Sequence, residues 1–274
     1  MSSAPLPTLT PLSLEISMLQ VRTARCKKRN KPAFAVMQVQ GELVDEHLDA
    51  MFIRWRGDEL ISLEIPVYGL ILDLSGLLLR SPAQLQVVPP RLRILNELFR
   101  VVLPTGCTVT GDWAPDEVRP NLRSALLELA TEELQDVSLA ISDLVMKGFQ
   151  WRDRTLGASC LTVRIAGSYG IGSEGNDDAL LMRWRFRQLK ELTEPVGVVV
   201  DLREFHYFWG DQFSPKPAGF FRGSPLRYIV RADTLNDRAY GIWPEQLTLD
   251  EATAYEDVQQ LVANPNPVPV PEEP

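Results

Sequence analysis

The fold of this 274-residue chain is decided by two stretches, Gly69-Leu70-Ile71-Leu72-Asp73-Leu74 and Gly197-Val198-Val199-Val200-Asp201-Leu202. Each consists of a glycine, three aliphatic residues and then Asp-Leu, and the second begins 128 residues after the first. A short apolar run between turn residues is typical of a strand that is buried on both faces, as in a parallel sheet. The sequence therefore predicts an α/β protein in which one kind of buried strand occurs twice.

Three further landmarks recur in the same order and at nearly the same distance along the chain. They are Arg54-Trp55-Arg56 with Arg183-Trp184-Arg185, Val39-Gln40-Gly41 with Ile165-Ala166-Gly167, and Trp113 with Trp243, at offsets of 129, 126 and 130 residues. A repeat of this length corresponds to a whole domain and is too long for the unit of a solenoid. We therefore predict an internal duplication that gives two similar domains, each with a mainly parallel sheet flanked by helices.

The landmarks also predict the domain boundaries. An N-terminal arm covers residues 1–32, the first α/β repeat 33–137, a connector 138–159 and the second α/β repeat 160–263. Two domains agree with the length of the chain. The proline-rich residues 264–274 cannot bury enough apolar surface to fold, and they are predicted to form a disordered tail.

Local patterns predict several elements inside this frame. Asp45 is expected to be the N-cap of a helix that ends at Gly57. Apolar residues spaced three and four apart predict a second helix over residues 92–102. Residues 139–146 of the connector are predicted to be helical, whereas Gly148 is expected to lie in a loop.

The composition restricts the partners and the compartment. A net charge of −8 argues against binding to nucleic acid, which needs a basic face, and the basic residues from Arg22 to Lys31 are interpreted as a solvated arm. The cysteines, Cys26, Cys107 and Cys160, form no CxxC pair, so neither a disulfide framework nor a zinc site is predicted. Because the chain lacks an apolar run of about 18 residues, we expect no membrane helix and a soluble, cytoplasmic protein. No cofactor is predicted.

Several reactive side chains follow the second Asp-Leu strand, at the kind of strand end where open α/β sheets bind ligands. These side chains are Asp201, Glu204, His206 and Asp211, which could act as acid, base or metal ligands. The first repeat has Asp73 in the corresponding place but no counterpart of the other three. Asp73 and Asp201 are therefore interpreted as structural residues at the strand ends, and no catalytic residue or metal ligand is predicted.

The loop after the second strand is also rich in aromatic residues. It contains His206, Tyr207, Trp209 and Asp211, whereas the first repeat is aliphatic there. Loops at strand ends carry function on rigid scaffolds, and aromatic side chains are enriched at the energetic centres of interfaces. These four residues are therefore predicted to bind a protein partner.

In outline, both repeats resemble the STAS family, the domains related to anti-sigma-factor antagonists, and the specific residues of the resemblance are in the first repeat. The resemblance lies in Val36-Met37-Gln38-Val39-Gln40-Gly41-Glu42-Leu43, a following helix, and Leu70-Ile71-Leu72-Asp73-Leu74-Ser75-Gly76-Leu77. It implies a bacterial regulatory protein that acts through protein–protein interaction. STAS domains carry a phosphorylated serine in a loop after this strand, but here Ser81-Pro82-Ala83 and Trp209-Gly210-Asp211 stand there, without the phosphoacceptor pattern.

Two alternatives remain open at this stage. The alternation of strands and helices, with a Gly-Asp pair after the second strand, is similar to crotonase-like enzymes. That resemblance implies a catalytic site at the end of strand 197–202. An acidic immunity or inhibitor protein, which binds a basic partner through its charged surface, is the other alternative.

Overall fold

The computed structural model describes residues 5–27, 33–63, 69–79, 98–105, 107, 117–129, 135–173, 175–207, 217–221, 223–232 and 244–264. The chain divides into two compact units. We name them inner and outer by their place in the sequence, because the inner unit lies between the two segments of the outer unit. The inner unit is Glu15–Ala140, and the outer unit combines Met1–Leu14 with Ile141–Pro274.

The described residues form strands and helices. The strands are β1 (Thr10–Leu12), β2 (Gln20–Lys27), β3 (Ala33–Glu42), β4 (Gly69–Leu78), β5 (Leu98–Val102), β6 (Val118–Arg119), β7 (Gln135–Asp136), β8 (Val145–Arg152), β9 (Ser159–Ser168), β10 (Gly197–His206), β11 (Leu226–Ile229) and β12 (Leu247–Thr248). The helices are α1 (Glu46–Leu63), α2 (Leu122–Leu129), α3 (Gly175–Thr193), α4 (Pro217–Phe220) and α5 (Glu251–Ala263), with a short 3₁₀ helix over Pro244–Gln246.

Each unit contains one mixed sheet flanked by helices. The inner sheet has the order β7-β2-β3-β4-β5-β6, and the outer sheet has the order β1-β8-β9-β10-β11-β12. In the inner sheet, β7–β2 and β2–β3 are antiparallel pairs and the remaining pairs are parallel. In the outer sheet, β1–β8 and β8–β9 are antiparallel and the remaining pairs are parallel.

The two apolar stretches that decide the fold form the central parts of β4 and β10. All six residues of each stretch are buried, which confirms the predicted burial on both faces. The first residue of β10, Gly197, packs against helix α5, which passes close to the backbone there. A Cβ atom at this position would lie 2.6 Å from Val258 Cγ1 and 2.9 Å from Val262 Cγ2.

Gly197→Ala is therefore expected to lower the free energy of unfolding by about 1–3 kcal/mol, the usual cost of overpacking a core. The matched control is Gly219→Ala, because no heavy atom of the described residues outside its own helix turn lies within 4 Å of a Cβ atom placed there. Urea unfolding of both variants checks the prediction. Equal stability of the two variants would show that α5 does not pack closely on the start of β10.

The domain boundaries of the outer and inner units differ from those expected from the sequence. The predicted arm, residues 1–32, contains β1 and β2, and the predicted connector, residues 138–159, contains β8. Residues 141–144 are not helical, and Gly148 lies inside a strand. Its lack of a side chain is needed there, because a Cβ atom would lie 2.2 Å from Leu189 Cδ2. The predicted tail lies almost wholly outside the described residues.

Two local predictions are also wrong. Helix α1 continues past Gly57 to Leu63, because the following turn buries Leu60 completely in the core of the inner unit. That burial offsets the cost of a helical glycine, which is about 1 kcal/mol. Residues 98–102 form a strand, in which Phe99, Val101 and Val102 are buried. The predicted N-cap is confirmed, since Asp45 Oδ1 accepts hydrogen bonds from the backbone N–H groups of His47 and Leu48 in the first turn of α1.

Candidate functional site

The polar residues after the first apolar stretch lie where β4 bulges. Asp73 is opposite Gln38 of β3, but the next aligned residues are Gly76 and Gln40, so β4 contains one extra residue between the two positions. A bulge of this kind bends the strand and changes the direction of its side chains. The bulge therefore marks the point where the buried strand becomes a surface segment.

The second apolar stretch ends in the same kind of bulge. Asp201 is opposite Arg164 of β9, and the next aligned residues are Glu204 and Ala166. Again the longer strand contains one extra residue directly after its aspartate. Asp73 and Asp201 thus occupy the same position in the two sheets.

Asp201 belongs to an ionic cluster that connects β9, β10 and the first turn of α5. Arg203 donates to it from Nε to Oδ1 at 2.9 Å and from Nη2 to Oδ2 at 2.7 Å. The same Nη2 lies 2.9 Å from Glu251 Oε2, and Arg164 Nη2 lies 3.5 Å from Glu251 Oε1. The hydrogen bonds with Asp201 raise the pKa of Arg203, as do the charges of both acids. The cluster therefore balances two guanidinium groups with two carboxylates.

Asp73 is held by neutral groups instead. Its Oδ2 accepts from Gln38 Nε2 at 3.1 Å, and its Oδ1 accepts from the backbone N and the Oγ of Ser75 at 3.1 and 2.6 Å. Gln38 and Ser75 stand where the outer sheet has Arg164 and Arg203. The aspartate is common to both sheets, whereas its partners differ.

Aromatic rings pack together at the C-terminal ends of β9 and β10. Tyr169 lies edge-on to Tyr207 with ring centroids 5.3 Å apart, and edge-on to Phe205 at 6.2 Å. Burial raises the pKa of Tyr169 to about 12, with smaller contributions from Asp178 and Tyr207. Part of the Tyr207 ring is therefore used for packing within the unit, and the rest is accessible.

His206, a member of the predicted partner-binding set, is exposed. Its Nδ1 lies 3.3 Å from Arg231 Nη1, and its carbonyl oxygen accepts a hydrogen bond from Tyr169 N at 2.9 Å. His206 and Tyr207 thus lie together at the end of β10. Trp209 and Asp211 fall outside the described residues, so the role of this loop stays a prediction.

The corresponding end of the inner sheet has exposed apolar side chains beside the exposed Glu42. Leu43 N donates to Leu78 O at 3.2 Å, as Tyr169 N does to His206 O in the outer unit. Around this hydrogen bond, three apolar side chains are accessible to solvent: Met18 (87%), Val44 (59%) and Leu78 (66%). We call these three residues the inner strand-end surface.

The three residues lie at one end of the inner sheet, on neighbouring segments. Leu78 is opposite Glu42 in the β3–β4 pair. The carbonyl oxygen of Met18 lies 3.7 Å from the position of a Cβ atom at Gly41, on the other side of β3. Since adjacent strands are about 4.8 Å apart, the Met18 and Leu78 backbones are separated by about 10 Å.

A serine and an aspartate clamp the inner strand end to α1, a feature the sequence reasoning missed. Ser17 Oγ donates to Asp49 Oδ1 at 2.5 Å and accepts from Leu19 N at 3.1 Å. The other carboxylate oxygen of Asp49 accepts from Val44 N at 2.8 Å. The clamp therefore fixes the segment that carries Met18 and Val44.

The outer unit contains the same clamp. Ser142 Oγ donates to Asp178 Oδ1 and accepts from Leu144 N at 3.1 Å. Asp178 Oδ2 accepts from Gly170 N at 2.6 Å, which fixes the segment after β9 to the first turn of α3. A sequence signal was available, because residues 9–19 (LTPLSLEISML) and 134–144 (LQDVSLAISDL) share six of eleven residues, including both serines.

The crotonase-like alternative requires a pocket at Asp201, Glu204 and His206. Asp201 is tied to two arginines, whereas Glu204 and His206 are exposed. A cavity of about 470 Å³ lies in the inner unit, lined by Leu19, Val21, Phe52, Arg56 and neighbouring residues. The arrangement of the outer strand end is that of an ion-pair network.

Other reactive groups are buried or dispersed. Burial raises the pKa of the Cys160 thiol to about 12, with a further contribution from Asp153, so the thiol is protonated at neutral pH. Within the described ranges, no three His, Cys, Asp or Glu side chains are grouped to hold a metal ion. No helix in that part of the chain is long and apolar enough to cross a membrane. The chain matches no protein-family model, no curated protein and no solved structure.

Proposed function

We propose that this chain is a non-catalytic regulatory protein, built by duplication of one STAS-like repeat, that binds a protein partner through the inner strand-end surface. The observation that carries the proposal is the exposure of Met18, Val44 and Leu78 at one end of the inner sheet. Single exposed apolar residues are ordinary, whereas grouped ones mark interaction sites. Strand ends of open α/β sheets are also where such folds bind ligands.

Three kinds of local similarity support the duplication. Both sheets bulge directly after their aspartate, and both strand ends are fixed by a serine–aspartate clamp. Gly41 and Gly167 both adopt positive φ, 122° and 111°. A Cβ atom at Gly41 would lie 3.3 Å from Leu19 Cδ2, and one at Gly167 would lie 3.2 Å from Leu144 Cδ2.

The differences between the repeats support the binding role. The clamps and bulges are shared because the common fold requires them. The positions of Met18, Val44 and Leu78 instead hold Asp143, Gly170 and His206 in the outer unit. These three positions are therefore apolar in the inner unit only. Covering one such side chain on binding contributes about 1.5–3 kcal/mol.

The STAS-like part of the proposal rests on β3, α1 and β4. These elements follow the family's order, and β4 carries the Asp-Leu-Ser-Gly sequence. Because the phosphoacceptor sequence of the family is replaced, binding in this protein would not be switched by a phosphoserine in that loop. The expected behaviour is constitutive docking.

The experiment is affinity capture with quantitative mass spectrometry from lysate of the source cells, using the whole chain as bait. The test variant is Val44→Ser with Leu78→Ser. The matched control is Leu156→Ser with Leu249→Ser, which removes two exposed leucines from the outer unit. We expect partner recovery to fall at least tenfold in the test variant and to stay within twofold of wild type in the control.

A further variant separates the two strand ends. Tyr207→Ala with Trp209→Ala removes two aromatic residues of the outer loop and leaves the inner surface intact. Circular dichroism first establishes that each variant is folded. If only this variant loses the partner, the binding surface lies on the outer unit and the proposed inner surface is wrong.

A further inference from the structure

Strands β1 and β7 complete sheets that belong to distant parts of the chain. Strand β1 begins ten residues before β2 but pairs with β8, and β7 begins ten residues before β8 but pairs with β2. We infer that β1 and β7 are the same leading strand of the repeat and that the two repeats have exchanged them. This inference uses the proposed duplication, but it concerns assembly and does not depend on what the protein binds.

The two strands begin the matching segments of sequence. Residues 9–14 read Leu-Thr-Pro-Leu-Ser-Leu and residues 134–139 read Leu-Gln-Asp-Val-Ser-Leu, and the match continues to residues 19 and 144. The offset of 125 residues places Thr10 on Gln135 and Ser17 on Ser142. These serines make the same clamp in their own units.

The registers of the two pairs agree residue by residue. Thr10 is opposite Gln150, and Gln135 is opposite Arg25. Residue 135 is 125 positions after residue 10, and residue 25 is 125 positions before residue 150. Thr10 therefore corresponds to Gln135, and Gln150 corresponds to Arg25. The next pairs correspond with the same offset, because Pro11 is opposite Phe149 and Asp136 is opposite Ala24. Two unrelated edge strands would not be expected to share strand direction and register.

Specific contacts hold each exchanged strand. Leu9 packs against the core cluster of the outer unit, and Leu12 Cδ1 lies 3.3 Å from the position of a Cβ atom at Gly148. On the inner unit, Val137 N donates to Thr23 O at 3.0 Å, and Thr23 Oγ1 donates to Val137 O at 2.6 Å. Each strand therefore covers part of an edge that would otherwise present unpaired backbone groups.

The edges of β2 and β8 are thus docking sites for the leading strand of a second copy of the repeat. In this chain the second copy is supplied by the duplication. A chain with one repeat would complete its sheet by exchange with another molecule, which is a low-cost route to a dimer. The tandem chain corresponds to such a dimer with its two copies joined covalently.

Pairs of introduced cysteines test the exchange in the full-length chain, in a Cys26→Ser background. One variant carries Thr10→Cys with Gln150→Cys, and a second carries Arg25→Cys with Gln135→Cys. Opposite residues of antiparallel strands have Cα atoms about 4.5–5.5 Å apart, which suits a disulfide. The control, Thr10→Cys with Arg25→Cys, joins the residues that would pair if each repeat kept its own strand.

After mild oxidation, peptide mapping is expected to find intramolecular disulfides between positions 10 and 150 and between positions 25 and 135. The control should form at least tenfold less. A disulfide between positions 10 and 25, or disulfides only between separate molecules, would overturn the inference. An independent variant interchanges residues 9–14 and 134–139. Retention of cooperative unfolding within about 5 °C of wild type is expected, and loss of cooperative unfolding would contradict the equivalence of the strands.

Discussion

Trp184→Ala is expected to lower the free energy of unfolding by about 3–5 kcal/mol, the usual cost of truncating a large buried aromatic residue. Trp184 is 3% exposed and lies on α3, whose buried residues also include Met182 and Phe186. Its truncation leaves a cavity at a buried position of this helix. Urea unfolding followed by circular dichroism measures the change.

Two controls make this result specific. Met18→Ala removes a side chain that is 87% exposed, and its effect should be within about 0.5 kcal/mol of zero. Trp184→Phe keeps a ring but removes the indole N–H, which is buried without a hydrogen-bond acceptor among the described residues. It should therefore cost less than the alanine variant. A denaturation midpoint near wild type for Trp184→Ala would show that α3 is not anchored by this ring.

Asp178→Ala is expected to cost about 3 kcal/mol, because it removes the acceptor of two charge-assisted hydrogen bonds at a buried position. Ser142 Oγ and Gly170 N would lose their partner, and the segment after β9 would no longer be fixed to α3. The measurement is again urea unfolding. Ser142→Ala alone and the double variant complete a double-mutant cycle, in which the two changes should be strongly non-additive.

Asp177→Ala is the matched control for this prediction. Asp177 lies in the same first turn of α3, has the same charge and is exposed. The two variants therefore differ in the clamp but not in the effect of a carboxylate on the helix dipole. If both variants lose the same stability, the clamp contributes nothing beyond the charge at the helix N-terminus.

Part of the fold could be predicted from the sequence because its signals are local. The apolar runs of β4 and β10 need no information from elsewhere, and the N-cap at Asp45 is likewise a short-range signal. Strand β8 was missed because Gly148 suggests a loop when Leu189 is not known to lie above it. The sequence predicts a helix at residues 98–102 because a short apolar run fits the period of a helix as well as that of a strand.

The candidate site depends more strongly on contacts that are distant in sequence. The position of Asp201 at a strand end was predictable, but Glu251, which binds the same Arg203, comes from a helix 50 residues later. The exposure of Met18, Val44 and Leu78 results from how three segments end at one side of a sheet. Composition and periodicity favoured the aromatic loop after β10 instead, since they report residue types and not accessibility.

Hydrogen exchange of the intact chain, alone and bound to the captured partner, tests the proposed function most directly. The partner should slow exchange at residues 42–45 and 76–79, which contain Val44 and Leu78. Exchange at residues 155–158, which contain the equally exposed Leu156, should be unchanged. Protection confined to residues 203–207, or to any segment other than the inner strand end, would contradict the account.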